Sequence, residues 1–365
     1  MIKASPLITV RTYTILVILF MIGTSILITP AQLAHEAKQD AWIAAIFGIV
    51  LNSLLALLYV SLGERFGQKT LIELCIAAFG KWIGALLALC YIGFFLLLAS
   101  LMVGDLGFFM TTQIMPETPI EILQILFVIL VVAVIRGGIA VYSRAAEIFL
   151  PLMIFMFSLL IISMLHIIDY RNFQPMLEFG LKPVIRGGYS FFGLQEIIVL
   201  MMLYPYVKRS GNRRNAFVGG VLVGGVVLII TTACCIGVMS FLVTSNQLYP
   251  AYVLAKKISI GHFLERIEGV MMLIWVISIM IKVVITFDAA VLGLSQVCKL
   301  KESKPIVIPM GFGMIVLALL SYPNTIFVQD FLSKIWSPFA TIFMVFVPLL
   351  LLLALSVRKA LGGKM

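Results

Sequence analysis

The sequence predicts an all-α integral membrane protein with about ten transmembrane helices. Three observations support this fold class: 62% of the 365 residues are hydrophobic, only 12% are charged, and apolar runs such as 218–243 are long and unbroken. Soluble domains carry about 25% charged residues, so a water-soluble fold cannot hide this much apolar surface. In lipid only helices and closed barrels satisfy every backbone amide, and barrel strands alternate apolar with polar residues. These runs do not alternate, so helices are predicted.

Ten apolar runs reach the length of about 20 residues that a membrane span needs. They cover residues 11–33, 41–62, 82–112, 119–138, 143–168, 184–206, 215–243, 265–298, 305–322 and 329–357. We therefore expect a single transmembrane domain over residues 1–365, made of two five-span repeats at about 11–168 and 184–357. Two loop segments, 68–80 and 249–260, have the composition of short helices that lie at the membrane interface.

The net charge of +10 reflects topology rather than a nucleic-acid surface. The basic residues lie in short loops between apolar runs, with no basic stripe alternating with aromatic residues. Most of the 26 Lys and Arg residues fall on the side that holds both chain ends. Since positive loops stay in the cytoplasm, both termini are predicted to be cytoplasmic.

No motif in the chain predicts an enzyme, a cofactor or a metal site. The sequence has no hydrolase elbow, phosphate loop or zinc pattern in a plausible context. The five cysteines have no metal-type spacing and mostly lie inside apolar runs, where they serve as small packing residues. Ten spans without such motifs leave a channel, a transporter or a sensor as the open classes.

Two spans carry the residues of broken helices. Transporters built from inverted repeats bind substrate near mid-membrane, where two helices in corresponding positions are unwound, and two five-span repeats make spans 1 and 6 correspond. Span 1 contains Gly23 followed by two hydroxyl residues; span 6 contains Gly187-Gly188 and then the polar cluster 190–196. Glycine costs about 1 kcal/mol in a helix, and hydroxyls satisfy freed backbone groups. The alternative is that these glycines only allow close helix packing.

Broken helices of this kind suit a zwitterionic ligand such as an amino acid. Exposed amides at a half-helix N-terminus attract a carboxylate, while freed carbonyls accept hydrogen bonds from an ammonium. Aromatic residues nearby would form an apolar wall for the ligand side chain. The predicted ligand-binding residues are Gly23, Thr24, Ser25, Ser190, Phe191, Phe192, Gly193, Glu196 and Trp275.

Three ionisable residues inside predicted spans are functional candidates, because each costs roughly 2.5–3.5 kcal/mol on insertion scales. Glu196 and Lys282 lie near the middle of spans 6 and 8, and Asp105 lies in the outer third of span 3. Glu196 is expected to pair with Lys282, or Lys282 takes the place of a sodium ion, which would leave proton coupling or no coupling. The alternative is an ion pair that only holds the bundle together.

Several motifs, in order along the whole chain, resemble those of the spore germination permeases. These are the B subunits of Ger-type germinant receptors, a branch of the amino acid–polyamine–organocation transporters. Besides the Gly23 break, the motifs are Gly80-Lys81-Trp82-Ile83-Gly84, Met115-Pro116-Glu117-Thr118-Pro119-Ile120, Phe192-Gly193 with Glu196, Tyr204-Pro205-Tyr206-Val207, and Glu265-Arg266-Ile267-Glu268 followed by Trp275 and Lys282. Two departures stand out: Thr24-Ser25 where transporter relatives tend to have a second glycine, and Leu194-Gln195 where many relatives run directly from glycine to glutamate.

This resemblance implies a nutrient sensor in the spore inner membrane rather than a bulk transporter. It implies two partners, an A subunit and a lipoprotein C subunit, and a ligand that is commonly an amino acid. Two alternatives share the fold: a stand-alone proton-coupled amino acid permease, which takes up its substrate without partners, and a structural subunit whose pocket is vestigial.

Overall fold

The described residues of the protein are almost entirely helical. The computed structural model describes residues 8–66, 69–209, 211–257, 267–321 and 331–360. Within these ranges there is no strand, only an isolated parallel bridge between Ile8 and Val207. Nine helical stretches of this part of the chain are long and apolar enough to cross a membrane. The predicted all-α membrane fold is therefore confirmed.

Thirteen α-helices make up the described part of the chain. They are α1 Val10–Ile22, α2 Ser25–Ala37, α3 Ala41–Arg65, α4 Leu71–Phe109, α5 Ile120–Gly137, α6 Ile139–Met164, α7 Leu181–Gly193, α8 Arg213–Ser245, α9 Pro250–Lys256, α10 Glu268–Val297, α11 Lys304–Ser321, α12 Ser337–Thr341 and α13 Val347–Ala360. Short 3₁₀ turns cover Lys38–Asp40, Leu165–Ile167, Tyr170–Phe173, Ile197–Met202 and Tyr204–Tyr206, and π-helical turns cover Met110–Ile114, Phe331–Trp336 and Ile342–Phe346.

The nine long stretches correspond in order to the ten predicted spans because the first span is divided. Helices α1 and α2 have 13 residues each and together form predicted span 1. Helix α2 runs through one 3₁₀ turn into α3, so Ser25–Arg65 counts as one apolar stretch. The predicted boundaries at 265, 322 and 329, motif residues Glu265 and Arg266, and residues 258–260 lie outside the described residues. The division into two repeats stays a prediction.

Both short helices expected in loops are present in the described chain. The first, at the start of α4, begins with a capping box in which Thr70 and Glu73 bond each other's backbone amides. Gly80, with φ 80° and ψ −174°, separates it from the long part of α4, a backbone conformation that a side chain disfavours. The second is α9. Their position at the membrane interface stays a prediction.

The broken spans lie at the centre of the bundle. In Leu181–Met202, 83% of the most apolar window is buried, whereas in α11 the share is 22%. Helix α1 packs against α8 and α10, and α3 packs against α7 and α8. Gly220 and Gly224 of α8 lie against Val17 and Met21 of α1, which lets these two helices approach closely. The peripheral helices thus surround a core that contains both breaks.

Candidate functional site

The first break separates α1 from α2 at Gly23 and Thr24. Gly23 has φ 22° and ψ −123°, a conformation that L side chains rarely adopt. The Ser278 hydroxyl on α10 lies 3.1 Å from the Gly23 carbonyl and 2.9 Å from the Trp275 carbonyl of its own helix. A serine thus satisfies a carbonyl that the interrupted helix leaves free, as backbone groups in lipid require.

The second break lies at Leu194-Gln195-Glu196, after α7 ends. Glu196 is left-handed, with φ 41° and ψ 37°, and the chain continues as the 3₁₀ turn Ile197–Met202. The break is therefore later than the double glycine suggested. Gly187 and Gly188 are helical and lie against α3, so for these two glycines the close-packing alternative is correct. Gly193 makes a similarly close approach to Ser337.

A direct hydrogen bond joins the two breaks. The Gln195 amide nitrogen donates to the Ser25 hydroxyl oxygen at 3.1 Å, and both side chains are buried. Ser25 is the first residue of α2, and Gln195 lies inside the second break. The two unwound regions of the bundle are thus in contact, as a shared binding site requires.

Glu196 and Lys282 form a buried ion pair across the breaks. Lys282 Nζ lies 2.9 Å from Glu196 Oε2, and the side chains are 1% and 3% exposed. The ammonium also donates to the Leu194 carbonyl at 3.3 Å, and the Trp336 indole donates to Glu196 Oε1 at 2.8 Å. Both carboxylate oxygens therefore have a partner. Such a pair is costly to break, because removing one partner leaves an uncompensated buried charge.

The Lys282 side chain also packs against the first break. A Cβ at Gly23 would clash with Lys282 Cδ, and Lys282 Nζ lies 5.1 Å from the centre of the Phe20 ring. The lysine thus passes beside the first break and reaches the second. The pairing with Glu196 that the sequence predicted is present; its role in coupling stays a prediction.

A cavity of about 50 Å³ lies beside the two breaks. Four of the predicted site residues line it, namely Thr24, Ser25, Asp105 and Glu196. The other lining residues are Ile28, Thr29, Leu98, Leu101, Met102, Leu194 and Trp336. Helices α2 and α4, the second break and the start of the last span therefore contribute to one polar–apolar pocket.

The predicted aromatic wall lies elsewhere in this structure. Phe191 packs against Gly48 of α3, Phe192 stacks on Tyr189, and Trp275 packs on Phe109 with ring centres 4.6 Å apart. The Ser190 carbonyl accepts a hydrogen bond from the Ser337 hydroxyl at 3.2 Å. Apolar lining comes instead from α4. Gly23 shapes the break without lining the cavity.

Two residues that line the pocket were not among the predicted site residues. Trp336 binds Glu196 and lines the cavity, and Thr29 lines it one turn after Ser25. A tryptophan inside an apolar span was a signal for the first residue. For Thr29 the signal was its spacing of four from Ser25, which places both on one helix face.

The fold and this site define a class: a multi-pass membrane protein with the helix arrangement of a transporter and a small buried pocket between broken helices. Among solved structures, the transporter Mhp1 of the nucleobase-cation-symport-1 family, in a closed conformation with bromovinylhydantoin bound, is similar with a TM-score of 0.63. It shares 15% identity, and the match covers 94% of this chain and 80% of that one.

Sequence comparison then identifies the family. Residues 7–326 match the spore germination protein family, so the chain belongs to it. It is 26% identical over 322 residues to spore germination protein KB of Bacillus subtilis (strain 168), covering 87% of this chain and 86% of the relative. It is 27% identical over 360 residues to spore germination protein YndE of the same strain, covering 96% and 97%. The chain is thus a germinant receptor subunit of the B, permease-like type; a stand-alone permease is not favoured.

Proposed function

We propose that this subunit binds an amino acid, or a nutrient of similar size, in the cavity beside the two breaks and signals by closing around it. The main observation in support is that both breaks and two buried carboxylates line one cavity of about 50 Å³. A cavity needs roughly 10–15 Å³ of this kind of space per water molecule, so the pocket suits a very small ligand. Glycine and alanine are of this size.

The start of α2 supplies a place for the ligand's carboxylate. Thr24 and Ser25 line the cavity, and Thr24 forms no side-chain cap on the helix. The first amides of a helix have no intrahelical partner and carry the positive end of its dipole. An anionic group in the cavity would therefore be stabilised without a positively charged side chain.

The Gln195–Ser25 bond and the Lys282–Glu196 pair connect the pocket to the surrounding helices. A ligand that draws α2 towards the second break would move α7 and α10 with it. In our proposal this movement is passed to an A subunit and a lipoprotein C subunit in the spore inner membrane, with both chain termini in the cytoplasm. The basic loop after span 6 is a candidate contact for these partners, through the exposed residues Lys208, Arg209 and Arg214; Arg213 is instead buried and paired with Glu64.

Filling the cavity tests this function. Thr24→Phe adds a ring at the cavity wall, and Leu126→Phe adds the same ring on α5, where Leu126 is 60% exposed on the outer surface. In spores we expect Thr24→Phe to abolish germination by the nutrients that depend on this gene, with normal amounts of protein in the membrane. Leu126→Phe should respond normally.

Labelled amino acid uptake is measured in the same strains. Uptake should not depend on the gene. Gene-dependent uptake together with normal germination would support a working permease instead. A normal response from Thr24→Phe would mean that the pocket is vestigial and the subunit structural.

A further inference from the structure

The two carboxylates in the cavity wall differ in their hydrogen bonding. Glu196 has a partner on each oxygen, as described above. Asp105 on α4 has only a long contact, 3.4 Å, from the Tyr249 hydroxyl to Oδ1. Asp105 is only 6% exposed, and its Oδ2 atom is buried without any hydrogen-bond partner. Buried polar atoms are nearly always bonded, so an orphaned carboxylate oxygen in a cavity wall indicates a missing partner.

A second orphaned atom lies in the same wall. The Thr29 hydroxyl is 1% exposed and has no partner, and Thr29 lines the cavity with Asp105. A hydroxyl and a carboxylate oxygen are both acceptors for N–H donors. Thr29 lies four residues, about 6 Å, beyond Ser25 along α2. The free acceptors are therefore one helical turn from the amides that suit a carboxylate, a span that a small zwitterion bridges.

We propose that Asp105, with Thr29, binds the ammonium group of the nutrient, and that this acidic acceptor makes the site selective for primary-amine ligands. The inference rests on the proposed nutrient site and adds to it the residues that bind the ammonium group of the ligand. Glu196 cannot play this part, because Lys282 and Trp336 already occupy its oxygens. In this proposal the carboxylate of Asp105 binds the ligand, and the carboxylate of Glu196 stabilises the helix bundle.

The test measures the binding of a series of small molecules to the full-length chain in lipid nanodiscs. Binding is detected as a shift in the unfolding temperature of the protein. The probes are the twenty amino acids, the carboxylic acids that lack their ammonium group, glucose and potassium chloride. Wild-type protein should bind at least one amino acid and bind its des-amino analogue at least tenfold more weakly. In Asp105→Asn the affinity for that amino acid should fall about 10- to 100-fold, the range for a lost hydrogen bond to a charged group. The analogue should bind to both proteins alike.

A matched control is Asp288→Asn on α10. Asp288 also accepts a tyrosine hydroxyl bond, from Tyr142 at 3.0 Å, but does not line the cavity. It should leave amino acid affinity unchanged. If Asp105→Asn fails to fold, Thr29→Val tests the inference instead. Wild-type protein should then prefer the amino acid over its des-amino analogue, and Thr29→Val should lose that preference.

Three other outcomes would overturn the inference, and they show whether the proposed nutrient site fails with it. Amino acid binding that is equal in wild type and Asp105→Asn means that Asp105 is protonated or remote from the ligand, and leaves the nutrient site standing. Binding of glucose or potassium but of no amino acid assigns the site to a ligand without an ammonium group. If none of these probes binds, the proposed nutrient site fails together with the inference.

Discussion

The two breaks in the bundle reach similar geometry by different means. At the first break Gly23 adopts its positive φ without a side chain, and a neighbouring serine satisfies its carbonyl. At the second break Glu196 takes a left-handed conformation that costs a side-chain-bearing residue about 1–2 kcal/mol, and Lys282 and Trp336 hold it there. The first break is therefore determined locally, by the glycine at position 23. The second exists because distant residues compensate for its strain.

Despite this difference, both breaks depend on residues of α10. Ser278 and Lys282 are four residues apart on this helix, so they share one face; Ser278 contacts the first break and Lys282 contacts both. Any movement of α10 therefore acts on the two breaks together. In our proposal, α10 therefore links an occupied pocket to the rest of the bundle.

The largest expected effect comes from removing the cation at the second break. Lys282→Met leaves Glu196 buried with a single neutral partner, which should destabilise the protein by about 3–5 kcal/mol. Thermal unfolding of the purified protein in detergent measures the loss. The double variant Lys282→Met with Glu196→Gln should recover most of it, because the uncompensated charge is then gone. Equal stability of the Lys282→Met single variant and wild type would mean that the second break does not depend on the pair.

A smaller effect is expected from a side chain at the first break. Gly23→Ala forces an unfavourable φ and places a methyl group against the Phe20 carbonyl and Lys282, costing about 1–3 kcal/mol. Gly219→Ala, in the regular part of α8 with nothing within 4 Å of the added carbon, should instead stabilise slightly. The comparison uses the same unfolding measurement. If both changes stabilise, the first break is not set by glycine conformation.

The smallest effect concerns the serine that serves the first break. Ser278→Ala should cost about 1 kcal/mol, the usual net value of a buried hydrogen bond, and reduce the nutrient response in spores. Ser295→Ala is the control on the same helix, since its hydroxyl bonds only to its own helix, at Leu292. The control should change stability less and leave the response intact. Identical behaviour of the two variants would remove the link between α10 and the first break.

The sequence located the ionisable residues of the site but not their relative roles. Composition and spacing identified Glu196, Lys282 and Asp105 as candidates because each is a costly residue inside a span. Their hydrogen bonds assign Glu196 to the ion pair and leave an acceptor open on Asp105. The sequence predicted the pairing of Glu196 with Lys282. It could not show that Asp105 keeps an open acceptor, because that depends on which side chains of other helices surround Asp105 in the fold.

By itself, the sequence determined the all-helical membrane fold, the order of its spans and the position of the first break, because apolar runs and a glycine act locally. Only the tertiary structure decided where the second break falls and that Gly187-Gly188 serves helix packing instead. It also decided that Trp336 and Thr29 join the site while Phe191, Phe192 and Trp275 lie outside its cavity. The physical reason is that burial and strain compensation depend on which helices meet, and side chains far apart in the chain settle both.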